Sequence, residues 1–310
     1  MIVTLHDTTS SAVGNRMVSL REEGGVVALG RVLTLVILAD TEEAAEEAIR
    51  VSNAASHEHP ARVIVVLPDG PADPAASAGL DAEIRVGGDA GASEVVVLRP
   101  RGGAGGRPDT LVMPLLLPDA PIVAWWVDSP PAAPSQDPIG LMAQRRITNS
   151  MHCADPGAVL AKLSANYAPG DSDLAWAGLT IWRSVLAATL DEPPFEPITS
   201  ATVSGSESHP SIALLAGWLA ARLEVPVTMV ADGHDAISGV VLERPSGPIS
   251  LTRAQGSTVA SLTRPGRVDQ RINLPQRSLQ NSLIEELRRL DPDEVYGEVL
   301  TEGLLILELV

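Results

Sequence analysis

Hydrophobic patterning divides the chain into two textures. Residues 31–38 are apolar almost without interruption, the pattern of a strand buried on both faces. The next stretch has helical spacing. Asp40 and Glu43 stand as N-cap and capping-box partner, and Glu42, Glu43, Glu46 and Glu47 precede Arg50, the order that the helix dipole favours. A second apolar run, 62–67, closes at Pro68-Asp69-Gly70, which predicts a strand–helix–strand unit. Further strands are predicted at 93–98 and 121–127, with a short helix capped by Asp109 between them. Such alternation implies an α/β domain of three layers, a mostly parallel sheet with helices on both faces. Residues 1–30 are polar and weakly periodic, and read as a loosely ordered arm.

Beyond residue 165 the pattern changes. Residues 172–190 and 208–223 have helical apolar spacing, the second helix starting at Pro210 with Ser208 or His209 as its cap. Five short runs follow at 225–231, 236–243, 248–254, 257–262 and 269–274. They lie too close together for crossover helices, so an antiparallel meander is predicted. Two helices finish the chain, one opened by Ser282 and Glu285, the other by Asp291 with Pro292 in its first position. The expected organisation is an arm at 1–30, an N-terminal α/β domain at 31–165 and a C-terminal α+β domain at 166–310, which suits 310 residues.

Charge and composition then narrow the function. With 22 basic and 39 acidic residues the net charge is −17, so neither a nucleic acid nor an anionic membrane surface is an expected partner. Cys153 is the only cysteine, which excludes an intrachain disulfide, a CxxC redox pair and a multi-cysteine zinc site. Lys162, the only lysine, lies in no phosphate-binding loop motif. No apolar run approaches the roughly 20 residues of a membrane span, and the first residues lack a secretory pattern. A cytoplasmic protein without metal or cofactor is expected.

The candidate chemistry is thin. His57-Glu58-His59 supplies two metal ligands at most and reads as a turn. Ser206, Ser208 and His209 lack the nucleophile-elbow spacing. The glycines at 102–106 miss the dinucleotide fingerprint, with Pro108 in its sixth position. Asp171 and Asp173 form an acid pair, read more simply as charge at a helix start. No catalytic residue is assigned. Tryptophan is the stronger oddity: five occur, against one phenylalanine and two tyrosines. Trp182 lies on the core stripe of its helix, whereas Trp176 and Arg183 fall off it together, as an interface pair or as filling at a domain junction.

Several segments carry a family resemblance. They are His59-Pro60-Ala61-Arg62, Leu117-Pro118-Asp119-Ala120-Pro121 with Trp125-Trp126, Arg145-Arg146-Ile147-Thr148-Asn149-Ser150, Tyr167-Ala168-Pro169-Gly170-Asp171-Ser172-Asp173-Leu174-Ala175-Trp176, Trp182-Arg183, and Glu285-Glu286-Leu287-Arg288-Arg289-Leu290-Asp291-Pro292-Asp293. In this order they resemble the OpcA family of glucose-6-phosphate dehydrogenase assembly proteins, over about residues 30–300. Asn149 and Ser172 depart from the family pattern, which has Asp and Thr there. The resemblance implies a non-catalytic partner that supports assembly or allosteric activation of the NADP-dependent dehydrogenase opening the oxidative pentose phosphate pathway. On that footing the partner-binding residues are expected to be Trp176, Arg183, Asp171, Asp173, Arg145 and Arg146. The competing reading is a sugar-phosphate sensor or an enzyme such as a lactonase. It would use a crevice at Trp125, Trp126 and Asp128, with Arg145 and Arg146 holding the phosphate.

Overall fold

The computed structural model describes residues 1–24, 30–69, 77–87 and 94–308. Its first elements are β1 (Ile2–Leu5), α1 (Ser10–Gly24), β2 (Leu33–Leu38), α2 (Glu42–Ala55), β3 (Ala61–Val66), β4 (Gly79–Arg85), β5 (Glu94–Arg101), α3 (Pro108–Val112), β6 (Ile122–Trp126) and β7 (Arg145–Thr148). There follow α4 (Pro156–Ala165), β8 (Asp171–Asp173), α5 (Leu174–Ala177), α6 (Thr180–Leu190), β9 (Ser200–Gly205), α7 (Pro210–Leu223) and β10 (Val227–Ala231). The last are β11 (Ile237–Glu243), β12 (Ile249–Arg253), β13 (Val259–Thr263), β14 (Gln270–Asn273), α8 (Leu279–Arg288), α9 (Glu294–Glu298) and α10 (Leu304–Glu308). The chain forms two compact units that interleave in sequence. One is Met1–Asn149 with Gly170–Ser172 and Leu279–Pro292; the other is Ser150–Pro169 with Asp173–Ser278 and Asp293–Val310. Helix α8, expected in the C-terminal domain, therefore belongs to the first unit.

In the first unit the strand order is β1-β4-β5-β3-β2-β6-β7-β8. The central pairs β5/β3, β3/β2, β2/β6 and β6/β7 are parallel, and β4 joins β1 and β5 antiparallel. The largely apolar runs of β2 and β3, broken by Thr34 and Arg62, are buried on both faces, as strands between two helical layers must be. On one face Val13, Met17 and Leu20 of α1 pack with Val36, Ile64 and Val96. On the other, α2 packs against β2, β3 and α8. The expected loose arm is thus corrected for its described residues. β1 pairs with β4 from Ile2↔Arg85 to Leu5↔Ala82, and α1 buries an i, i+4, i+7 stripe that the polar average of the segment conceals. Residues 25–29 of that arm, Gly70 of the expected turn and Ser93 of the expected strand lie outside the described residues.

One buried carboxylate gathers three arginines of this unit. Glu94, 3% exposed at the start of β5, accepts from Arg21 Nε at 2.6 Å and from Arg62 Nη2 at 3.0 Å, and it pairs with Arg31 Nη2 at 2.6 Å. Arg62 Nη1 also donates to the Leu115 carbonyl at 2.7 Å. Burial pushes the Arg62 and Arg31 guanidinium groups down from their ordinary range, and the charge of Glu94 works against that shift.

The second unit has the strand order β10-β9-β11-β12-β13-β14. From β9 through β14 the pairing is antiparallel, as the close spacing of the runs predicts. Two features depart from a pure meander. Strand β9 was not foreseen, and β10 lies parallel to it because α7 crosses over between them. The core joins these strands to α4, α5, α6, α7 and the C-terminal helices.

Caps explain most of the shifted boundaries. Thr41, not Asp40, caps α2, its hydroxyl accepting from Ala44 N. Asp109 lies inside α3, paired with Arg107. Residues 172–190 are not one helix: Asp173 is extended and its carboxylate caps α5 through Ala175 N. Helix α8 begins three residues before Ser282, which is buried within it, and Asp293 rather than Asp291 caps α9 through Tyr296 N. His209 does cap α7, with Nδ1 accepting from Ser211 N ahead of Pro210.

Half-burial holds the His209 imidazole below its ordinary pKa, and only the neutral ring accepts that hydrogen bond. On acidification the unfolded chain takes up the proton first, so this cap's stability is complete above the ordinary histidine range and declines as pH falls through it. His209→Asn keeps an acceptor that does not titrate. The variant should show a flatter dependence of urea stability on pH between about 7.5 and 5 than the parent.

Candidate functional site

The six residues expected to face a partner are mostly interior. In the first unit Arg145 donates from Nε and Nη2 to Glu286 Oε2 at 3.2 and 2.5 Å, and from Nη1 to the Asp291 carbonyl at 2.9 Å. Arg146 Nε donates to Asp171 Oδ1 and its Nη1 to the Ala143 carbonyl. Its backbone N–H reaches the Gly170 carbonyl. Gly170 has φ +97° and permits this approach; a Cβ there would sit 2.6 Å from the Gln144 carbonyl oxygen.

In the second unit Asp173 is fully buried and accepts three hydrogen bonds, from Ser150 N, Ser150 Oγ and Ala175 N, all within 2.9 Å. Trp176 is 1% exposed; its Nε1 donates to Asp293 Oδ2 at 2.8 Å, and the Tyr296 ring lies 5.7 Å away. Arg183 stacks with its guanidinium carbon 3.6 Å from the Trp176 ring centroid. The off-stripe pairing of Trp176 with Arg183 is thus real, but the indole is in the core. Of the six residues only Arg183 keeps part of its surface in solvent.

This corrects the expected partner-binding set, for a physical reason. Arg and Trp are favoured at interfaces because they combine large contact area with directional hydrogen bonds, and the same properties suit buried ion pairs and capped cores. The crevice residues are corrected too. Trp125 and Trp126 point to opposite faces of β6 as expected, yet both are buried between layers, so neither indole serves a crevice; Asp128 beyond them is half-buried. Among the described residues no group of three His, Cys, Asp or Glu side chains is placed to hold a metal ion. An Asp232–His234–Ser238 cluster has the members of a nucleophilic triad, but the serine hydroxyl donates to the carboxylate instead of the imidazole, so nothing activates it.

The surface the sequence reading missed is in the second unit. Strand β10 is an edge of its sheet, and its sequence Val-Thr-Met-Val-Ala contains no charge and no proline, the usual guards against edge pairing. Met229 and Val230 are 48% and 42% exposed. Beside it lies a groove of about 580 Å³ lined by Leu160 and Ala161 of α4, Met229, and Leu304, Leu305 and Leu307 of α10. The groove wall is firmly fixed. Ser164 Oγ donates to the Leu300 carbonyl at 2.6 Å, Arg222 pairs with Glu298 at 2.5 Å, and Gly217 and Gly303 bring two backbones together where a Cβ would meet carbonyl oxygen at 2.4 Å. Among the described residues no ionisable side chain lines the groove, in a chain of net charge −17. The signals in the sequence were an uncharged edge strand and the Leu304-Leu305-Ile306-Leu307 run, both easily taken for core.

Comparison with known proteins adds the following. A family model described as the glucose-6-phosphate dehydrogenase subunit N-terminal domain matches residues 52–165, and one described as the C-terminal domain of that subunit matches residues 169–300. A search of curated proteins gave no match. Similar solved structures include a Gfo/Idh/MocA family oxidoreductase from Vibrio cholerae, 6% identical, TM-score 0.40, covering 89% of this chain and 96% of that one. A UDP-N-acetylglucosamine 3-dehydrogenase from Acidithiobacillus ferrooxidans is 9% identical, TM-score 0.36, with 88% and 96% covered. The WlbA dehydrogenase from Chromobacterium violaceum is 10% identical, TM-score 0.30, with 76% and 75% covered. Likeness this loose leaves the chemistry to be argued from the chain's own residues. No helix among the described residues is long and apolar enough to cross a membrane.

Proposed function

Because the chain belongs to the glucose-6-phosphate dehydrogenase assembly family, we propose that it is a non-catalytic partner that docks on that dehydrogenase through the groove beside β10. The observation that carries this reading is an uncharged apolar window on a strongly acidic chain. Over the acidic parts of such a surface an approaching protein meets unfavourable charge or hydration. Here it meets removable apolar area and an open strand edge able to add a further strand. Activation would require the chain to bind the active state of the dehydrogenase better than the inactive state, and each ten-fold shift takes about 1.4 kcal/mol of difference.

The sugar-phosphate reading has less support, since Arg145 and Arg146 already hold Glu286 and Asp171. One mixing experiment separates the readings. The dehydrogenase is assayed with and without the purified chain, alongside size-exclusion chromatography, and the chain alone is assayed for lactone hydrolysis. A faster or differently assembled dehydrogenase with an inert isolated chain is expected. Turnover by the chain alone, or a dehydrogenase unaffected by it, overturns the proposal.

A further inference from the structure

At one end of the second unit's sheet, the turn after β10, the turn after β12 and the segment after β14 surround a pocket of about 180 Å³. Arg253, the last residue of β12, lies against it and is 8% exposed. Its Nη1 donates to the Leu274 carbonyl at 2.9 Å and its Nη2 to the Ile237 carbonyl at 3.0 Å, with the Trp182 ring 5.4 Å from the guanidinium carbon. A guanidinium carries five N–H donors, and these carbonyls take two. Other buried arginines here each hold a carboxylate: Arg62 with Glu94, Arg145 with Glu286, Arg146 with Asp171, Arg264 with Glu192. Arg253 is the exception, with no carboxylate paired to it among the described residues. Burial accordingly lowers its pKa with no opposing charge. An unbalanced buried cation beside an open pocket is costly unless an anion completes it.

The rim carries a different chemistry. Gln255 Nε2 donates to Asp235 Oδ2 at 2.8 Å, presenting carboxylate and amide oxygens at the mouth. Paired acceptors of this kind suit hydroxyl donors, while repelling a bare anion that stops at the surface. We propose that this pocket binds a small hydroxylated oxyanion, a sugar phosphate or sugar acid, with its charged end on Arg253 and its hydroxyls toward Asp235 and Gln255. The proposal is independent of the docking surface and needs no dehydrogenase for its test.

The full-length chain, in a buffer free of phosphate and carboxylates, is titrated with glycerol 3-phosphate, glycerate and inorganic phosphate, and followed by calorimetry and thermal unfolding. At least one hydroxylated probe should bind and raise the Tm, and the tighter of the two identifies the acid group preferred. Inorganic phosphate, which reaches Arg253 alone, should bind at least five-fold more weakly. Thr258→Glu, at an exposed rim position, should weaken binding at least ten-fold while leaving the ligand-free Tm unchanged. Arg253→Lys, which keeps the charge but not the fork, should weaken it as well. Absence of binding by every probe, equal binding of inorganic phosphate, or unchanged affinity in Thr258→Glu overturns the proposal.

Discussion

Replacing Glu94 with alanine should destabilise the first unit by about 3–5 kcal/mol, the range for removing one member of a buried ion pair. The estimate rests on the cluster's asymmetry: one carboxylate serves Arg21, Arg31 and Arg62. Without it, three guanidinium groups face one another around an empty acceptor, and Arg62 cannot retreat because Nη1 is tied to the Leu115 carbonyl. The variant should unfold at distinctly lower urea concentration by circular dichroism. Glu94→Gln, which keeps the shape and one acceptor oxygen, should fall between the two. Parent-like midpoints in both variants would mean that the cluster contributes nothing net.

Met229→Asp combined with Leu305→Asp should weaken association with glucose-6-phosphate dehydrogenase by about a hundred-fold, which corresponds to about 2.8 kcal/mol. Burying one large apolar side chain contributes roughly 1.5–3 kcal/mol, and a carboxylate in its place adds a desolvation cost to any complex. Both residues are about half exposed in the free chain, so its Tm should hardly move. Trp176→Ala is the informative contrast. Its indole is buried against Tyr296 and Asp293, so truncation should cost about 3–5 kcal/mol of stability, the range for large core aromatics. Surface plasmon resonance on folded protein reads the first effect and urea unfolding the second. Undiminished binding by the double aspartate variant would remove the β10 groove from consideration.

The legibility of the sequence followed the range of the interactions involved. Strands β2, β3 and β6 were legible because burial on both faces writes itself as a nearly continuous apolar run. Strands β4 and β9 alternate buried and partly exposed positions, a weaker signal, and β9 was hidden further by its serines, threonine and glycine. Residues 1–24 looked loose because their order depends on a strand pairing some eighty residues away. At the site the error had one source. Trp176, Arg145 and Arg146 were conspicuous, but their partners Asp293, Glu286 and Asp171 lie 117, 141 and 25 residues on, and without those partners a satisfied interior group resembles an offered one. The groove went unread because solvent exposure of Met229 and Leu305 is a property of tertiary packing alone.

The interleaving of the two units has a consequence for biogenesis. Arg145 lies on β7, but Glu286, which neutralises it, is translated 141 residues later, as is the α8 helix that covers α2. At about 5–20 residues per second, that delay is of order ten seconds on the ribosome. Throughout it the nascent α/β sheet carries an unmatched guanidinium and an uncovered helix, and the whole intervening polypeptide must be synthesised before either is closed. Maturation of that sheet is thereby timed by residues 279–292, which are made after most of the second unit.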